Sequence, residues 1–250
     1  MINYIFIIVF SILLAFLSAI NRDNTENFKI IRQKIYPIKS FPNTHFPKKK
    51  YPILSFPDIN SAKKILSTSD GYTKSLGKFD LQSKLQSQSE NLKEKDYLNT
   101  VENNVRVWNI KDKEKINLFY DKLKTFFYQK NIVLQFPPVI NIIQTTGKEE
   151  GGASGYVRGN TIIMKSIKDD KMFEELFYHE MWHIFTNYDQ NLAKFVYSRY
   201  QFFFDKSRKL IIPPEIKDYR ITNPDLYGRD GYFKASLNKK ILEFYPMLIS

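Results

Sequence analysis

The chain reads as an α+β protein, and two kinds of spacing predict it. Apolar residues recur every three or four positions in three stretches, the period of a helix with one buried face. Short β-branched runs lie among and after these stretches, as strands do. With 43% hydrophobic and 16% aromatic residues in a chain of 250, one good-sized domain can fill a core.

Three segments follow from the order of these signals. Residues 2–20, "INYIFIIVFSILLAFLSAI", are almost wholly apolar and end in small residues before the polar "NRDNTEN". Segment 1–20 is expected to be an export signal or a signal anchor that attaches the chain to a membrane. Either reading places the rest of the chain outside the cytoplasmic membrane, periplasmic or extracellular. Residues 21–95 are expected to form a flexible linker. Pro37, Pro42, Pro47, Pro52 and Pro57 fall five apart among lysines, and no core periodicity is visible.

The folded domain is expected over residues 96–250. "DKEKINLFYDKLKTFFYQKN" carries Ile116, Phe119, Leu123, Phe126 and Phe127 at helical spacing. "VINIIQTT" and "YVRGNTIIM" read as strands. Between them "GKEEGGASG" reads as a flexible loop, and no G-K-S/T ending makes it a phosphate loop. "DDKMFEELFYHEMWHIFTN" opens with acids suited to a helix N-terminus and continues with a stripe from Met172 to Phe185. A second helix is expected through "QNLAKFVYSRYQFFF". A proline-punctuated loop follows, and then a terminal hairpin turning at Asn238-Lys239.

Composition excludes several functions. The formal net charge is +12, yet +7 of it falls in residues 21–100, and no nucleic-acid motif accompanies it, so no nucleic-acid partner is expected. Cysteine is absent, which removes disulfides, thiolate metal sites and cysteine nucleophiles.

"LFYHEMWHIF" holds two of the three histidines. His179 and His183 are four apart, so on a helix both imidazoles share one face and can meet one ion. Neutral imidazole is a favoured zinc ligand. Glu180 follows the first histidine in an adjacent sector, from which its carboxylate can reach a water beside the metal and take its proton. By chance alone such a match is expected in only about 10⁻³ of chains with this histidine content.

H-E-x-x-H on a helix resembles the zincin metallopeptidases. More narrowly, "GYVRGNTII", "HEMWHIF", "IIPPEI" and "ITNPDLYG", in this order, resemble a poorly characterised group of bacterial proteins read as zinc metallopeptidases. The resemblance covers roughly residues 100–250. It implies a zincin-like fold, with a mixed sheet packed on the active-site helix and further helices around them. It also implies one catalytic Zn2+, peptide or protein substrates, and an edge strand near "YVRGNTIIM" that can pair with an extended substrate.

The extended pattern with a third histidine is absent, so a carboxylate must complete the ligand set. Asp225 in "TNPDLYG" is the first candidate; it is similar to the aspartate element of aspartate-liganded zincins, although Ile221 stands where that element has glycine. Glu215 in "PPEI" and then Glu243 are the alternatives. Tyr227 is the candidate donor to a developing oxyanion, with Tyr219, Arg220 and Arg158 also near the motifs. The functional expectation is an exported zinc-dependent peptidase with Glu180 as general base. The alternative is a non-catalytic, zinc-stabilised binding protein displayed on the envelope.

Overall fold

A mixed five-stranded sheet lies between two layers of helices. The computed structural model describes residues 51–130, 132–204, 212–217, 219–226, 231–237 and 240–244. The expected export segment therefore lies outside the described residues. No described helix is long and apolar enough to cross a membrane.

Strand β1 (Ile53–Ser55) opens the fold and is followed by helices α1 (Ile59–Leu66), α2 (Gly71–Lys74), α3 (Lys78–Leu85) and α4 (Glu94–Asn104). Strand β2 (Val105–Arg106) leads into the long helix α5 (Ile110–Gln129) and strand β3 (Val139–Thr145). After a 3₁₀ turn at Lys148–Glu150 come β4 (Gly155–Arg158), β5 (Thr161–Met164) and helix α6 (Asp170–Tyr188). Helix α7 (Gln190–Arg199), β6 (Phe202–Phe204), the single turn α8 (Pro214–Lys217), a 3₁₀ turn at Pro224–Leu226, β7 (Gly231–Leu237) and β8 (Lys240–Phe244) complete it.

The main sheet runs β1-β3-β5-β4, with β2 added antiparallel to the end of β3. Strands β1, β3 and β5 are parallel; β4 is antiparallel to β5 and lies at the edge. "YVRGNTIIM", expected as one strand, is thus a hairpin. Gly159 supplies a positive φ of 59° in its two-residue connection, where tight hairpin turns favour glycine.

Successive side chains on a strand point to opposite faces. Ile140, Ile142, Val157, Ile162 and Met164 face a core made with Ile116, Phe119 and Phe127 of α5 and Phe173, Leu176, Phe177 and Met181 of α6. Ile143, Tyr156 and Ile163 face the other way. They pack on Ala62 and Leu66 of α1, Tyr72 of α2, Leu81 of α3, and Tyr97 and Val101 of α4. The expected linker is therefore corrected from residue 51 onward: 51–95 build much of one helical layer. Their apolar residues are spaced thinly among Lys, Ser and Gln, so each short helix anchors through one or two side chains and shows little periodicity.

Two smaller differences have local causes. The expected helix through residue 204 stops at Arg199, Gln201 takes a left-handed φ of 59°, and the three phenylalanines that follow pair as β6 with β7. The "flexible" loop is pinned, because Glu150 accepts bonds from the Tyr72 and Tyr97 hydroxyls. The terminal pair β7–β8 is antiparallel, with Leu237 opposite Lys240, and its connection at 238–239 lies outside the described residues.

A residue in the N-terminal layer should behave as core, not as linker. Leu66→Ala should destabilise the protein by about 2–5 kcal/mol in denaturant unfolding, as large-to-small core substitutions do. A change of less than about 0.5 kcal/mol, the scale of a surface substitution, would contradict the layer.

Candidate metal centre

Helix α6 begins at Asp169, whose carboxylate accepts from the Met172 N–H at 2.8 Å. Its apolar stripe is buried against β5 and α5, and this fixes its rotation. The next sector of the helix therefore turns to the edge strand β4. Glu180 and His183 lie in that sector, 1% and 5% exposed, with His179 one turn earlier and half-buried. The two imidazole Nε2 atoms are 3.1 Å apart. Two nitrogens bound to one tetrahedral zinc at ordinary bond lengths stand about 3.3–3.4 Å apart. The helix thus presents both rings at close to the separation that one ion requires.

Asp225 arrives from the far side of β4. Its turn begins at Asn223, whose side-chain oxygen accepts from the Asp225 N–H at 2.8 Å, an Asx-type closure. In the β4–β5 ladder, Lys165 donates to Ser154, so alternate residues of β4 bond inward and Val157 presents its N–H outward. Asp225 Oδ1 accepts that N–H at 2.6 Å. Its other oxygen, Oδ2, lies 3.8 Å from His183 Nε2. This is less than the roughly 4.1 Å sum of a zinc–nitrogen and a zinc–oxygen bond, so one ion can touch both.

A glycine stands where β4 passes closest to Glu180 of α6. A Cβ on Gly155 would stand 2.6 Å from Glu180 Oε1 and 3.1 Å from Leu176. The bare backbone leaves room for the carboxylate between strand and helix. Glu180 Oε2 is buried with no hydrogen-bond partner among the described residues. A buried carboxylate oxygen left in that state is costly.

The electrostatics follow from burial. Desolvation lowers the pKa of His179 to about 4, with His183 adding to the effect. Desolvation raises Asp225 to about 7, against the Val157 N–H, which favours the carboxylate. Glu180 is pushed well above the usual carboxylate range by burial and then by the Asp225 charge beside it. A neutral His179 imidazole and two crowded carboxyls make a donor set that a divalent cation would relieve. Glu180, His183 and Asp225 form a partly buried group, its donor atoms within 4.8 Å of one another, that could hold a metal. That spacing brackets both direct ligation by Glu180 and contact through one water.

A cleft of about 560 Å³ opens beside this group, with Asp225 in its wall and Arg158, Asn160, Asn187, Tyr188 and Gln190 among its polar lining. Such a volume suits a small ligand or part of a larger one.

The other candidates fall elsewhere. Glu215 on α8 and Glu243 on β8 are exposed, and neither belongs to the group. Tyr227 lies outside the described residues. Arg158 is engaged by Asp70 at 2.8 Å and by the carbonyls of Leu66 and Thr68, so it serves the β4–α1 junction. Tyr219 stacks on Phe79 at 4.6 Å between ring centres. Gly155 was not singled out by sequence. Its signal was available only as an unexplained glycine at the start of a strand.

At about pH 6 the metal-free protein should carry Asp225 protonated and His179 neutral. Divalent ion binding must then displace at least one proton. Divalent-cation affinity should rise at least about tenfold per pH unit up to about pH 7. Calorimetric titration in buffers of different ionisation enthalpy would count the proton, and an affinity independent of pH below 7 would contradict the site. No family model matches the chain, and no curated protein or solved structure matches it either.

Proposed function

We propose that the protein is an exported zinc-dependent peptidase of zincin-like fold, in which His179, His183 and Asp225 hold one zinc and Glu180 is the general base. The observation that carries this reading is the meeting of three side chains from one helical turn with a carboxylate from a distant loop: two imidazole nitrogens 3.1 Å apart, an aspartate oxygen 3.8 Å from one of them, and a buried glutamate in the same group. The H-E-x-x-H spacing on a helix, and the resemblance that it carries, agree with it.

A zinc ion held by these side chains supplies Lewis acidity, polarising a carbonyl oxygen and acidifying water. The remaining chemistry belongs to the chain. Glu180, walled in by β4 and α6, takes a proton from the attacking water and returns it to the departing amine. Its burial raises its basicity, and a nearby dication restores its ionised form. Asp225 keeps one oxygen on the Val157 N–H, which leaves the other aimed at His183. The cleft beside Asp225 receives the substrate flanking the scissile bond. Residues 2–20 direct export, by cleavage or as an anchor.

A specific observation favours a second reading. Glu180 stands within the group itself, so four protein donors could close the site and make the zinc structural. One substitution separates the two. Glu180→Gln should retain one zinc per chain and lose peptidase activity by about 10²–10⁴-fold, the usual worth of a general base. If Glu180→Gln loses zinc instead, the glutamate is a ligand and the structural reading stands.

Gly155→Ala tests the geometry from the strand side. The added methyl displaces the Glu180 carboxylate, and a misplacement of about 1 Å costs on the order of 10²-fold in rate. Zinc content and circular dichroism should remain those of the parent, and unchanged activity would show that the glutamate has room to spare.

A further inference from the structure

The loop that delivers Asp225 is at most half-buried along its described residues. Asn223 is exposed, as are Pro213, Pro214 and Glu215 upstream. Yet Thr222, three residues before the aspartate, is held at three points by helix α3. The Asp80 carboxylate accepts from the Thr222 N–H at 2.5 Å and from its hydroxyl at 3.1 Å. Lys84, one turn further along the same face of α3, donates to the Thr222 carbonyl at 2.9 Å. Phe79, also on α3, stacks on Tyr219 of the same loop with an interplanar angle of 19°.

Both charged residues are buried. Asp80 is 3% exposed and Lys84 5%. Lys84 is neutralised by Glu150 at 2.6 Å, and Glu150 is itself held by the Tyr72 and Tyr97 hydroxyls. Asp80 also accepts from the Gly77 N–H at 3.1 Å. A buried ion pair adds little net stability over an apolar pair of the same size. What this network supplies is position: it grips the N–H and the C=O of one residue, so the backbone entering the Asp225 turn has a single register.

We propose that Asp80 and Lys84 are positioning residues for the metal centre, clamping Thr222 so that Asp225 meets His183. This rests on Asp225 being a zinc ligand. Helix α3 then belongs to the site although it contributes no donor to it. The clamp acts as an outer layer to the ligand set, in the way that groups behind a metal ligand hold it in the orientation the ion requires.

The test measures metal binding and not turnover. Zinc affinity would be measured by competition with a chromophoric chelator, and coordination by the visible spectrum after substitution with cobalt(II). Lys84→Met combined with Glu150→Gln removes the clamp to the Thr222 carbonyl without stranding a buried charge. Thr222→Val removes only the hydroxyl contact, and Thr222→Ser restores it. The double variant should bind zinc about 10- to 100-fold more weakly and lose the intense visible bands of low-coordinate cobalt(II). Thr222→Val should weaken binding about tenfold, and Thr222→Ser should bind as the parent does. A folded double variant, or a Thr222→Val protein, with parental zinc affinity and cobalt spectrum would overturn the clamp. If the double variant fails to fold, the valine and serine pair decides alone. If the parent itself takes up no zinc, the metal-centre reading falls, and that outcome is distinct from a parent that binds zinc beside variants that bind it equally well.

Discussion

Burying ionisable groups together is the constraint around which this molecule is organised. Where the edge strand β4 passes helix α6, Glu180 and His183 lie nearly out of water, with Asp225 and His179 half-buried beside them. Desolvation pushes the pKa of His179 down and those of the two acids, Glu180 and Asp225, up. A fold does not retain such an arrangement for stability, since apolar side chains would fill the same space at less cost. A cation held among these groups would relieve it. The surrounding features shape the group: glycine at 155 gives the carboxylate room, the outward N–H of Val157 orients Asp225, and the apolar stripe of α6 sets the rotation of both histidines.

The sheet carries this centre because both of its faces are covered. Helices α5 and α6 bury one face, and the short helices α1 to α4 bury the other. The second layer does more than exclude water. It holds Arg158 of β4 through Asp70 and the end of α1, and it reaches through α3 to the loop that brings Asp225. Edge strand, helix α6 and the loop of Asp225 are thereby referred to one rigid frame, which is what a site needs if its side chains come from elements 40 or more residues apart in the chain.

Much of this was legible beforehand. The helix of the H-E-x-x-H segment, the strand at Val139, the terminal hairpin and the α+β class follow from periods of 3.6 and 2, which are local properties of the chain. The two histidines share a face for the same reason, and Asn-Pro-Asp announces a turn. Residues 51–95 show no helical period because α1, α2 and α3 each bury only two or three residues, too few to mark one. The clue that they must fold lay elsewhere: "VINII" and "TIIM" are apolar on successive residues, and a strand of that kind is buried on both faces. Something had to cover the second face, and the segments read as helices supplied only one layer.

The choice among Asp225, Glu215 and Glu243 could not be made from spacing. All three are carboxylates on punctuated or terminal segments, and which one meets His183 depends on where a loop returns after α6, α7 and the β6 strand. That return is decided by contacts across the chain, with Val157 some 70 residues before Asp225 and with Asp80 and Lys84 about 140 before Thr222. The sequence by itself determined two ligand-type side chains and an acid on one helical face, because four residues make about one helical turn. Only the tertiary structure decided which carboxylate faces them and how far water is kept away, because both depend on packing between segments that share no local period.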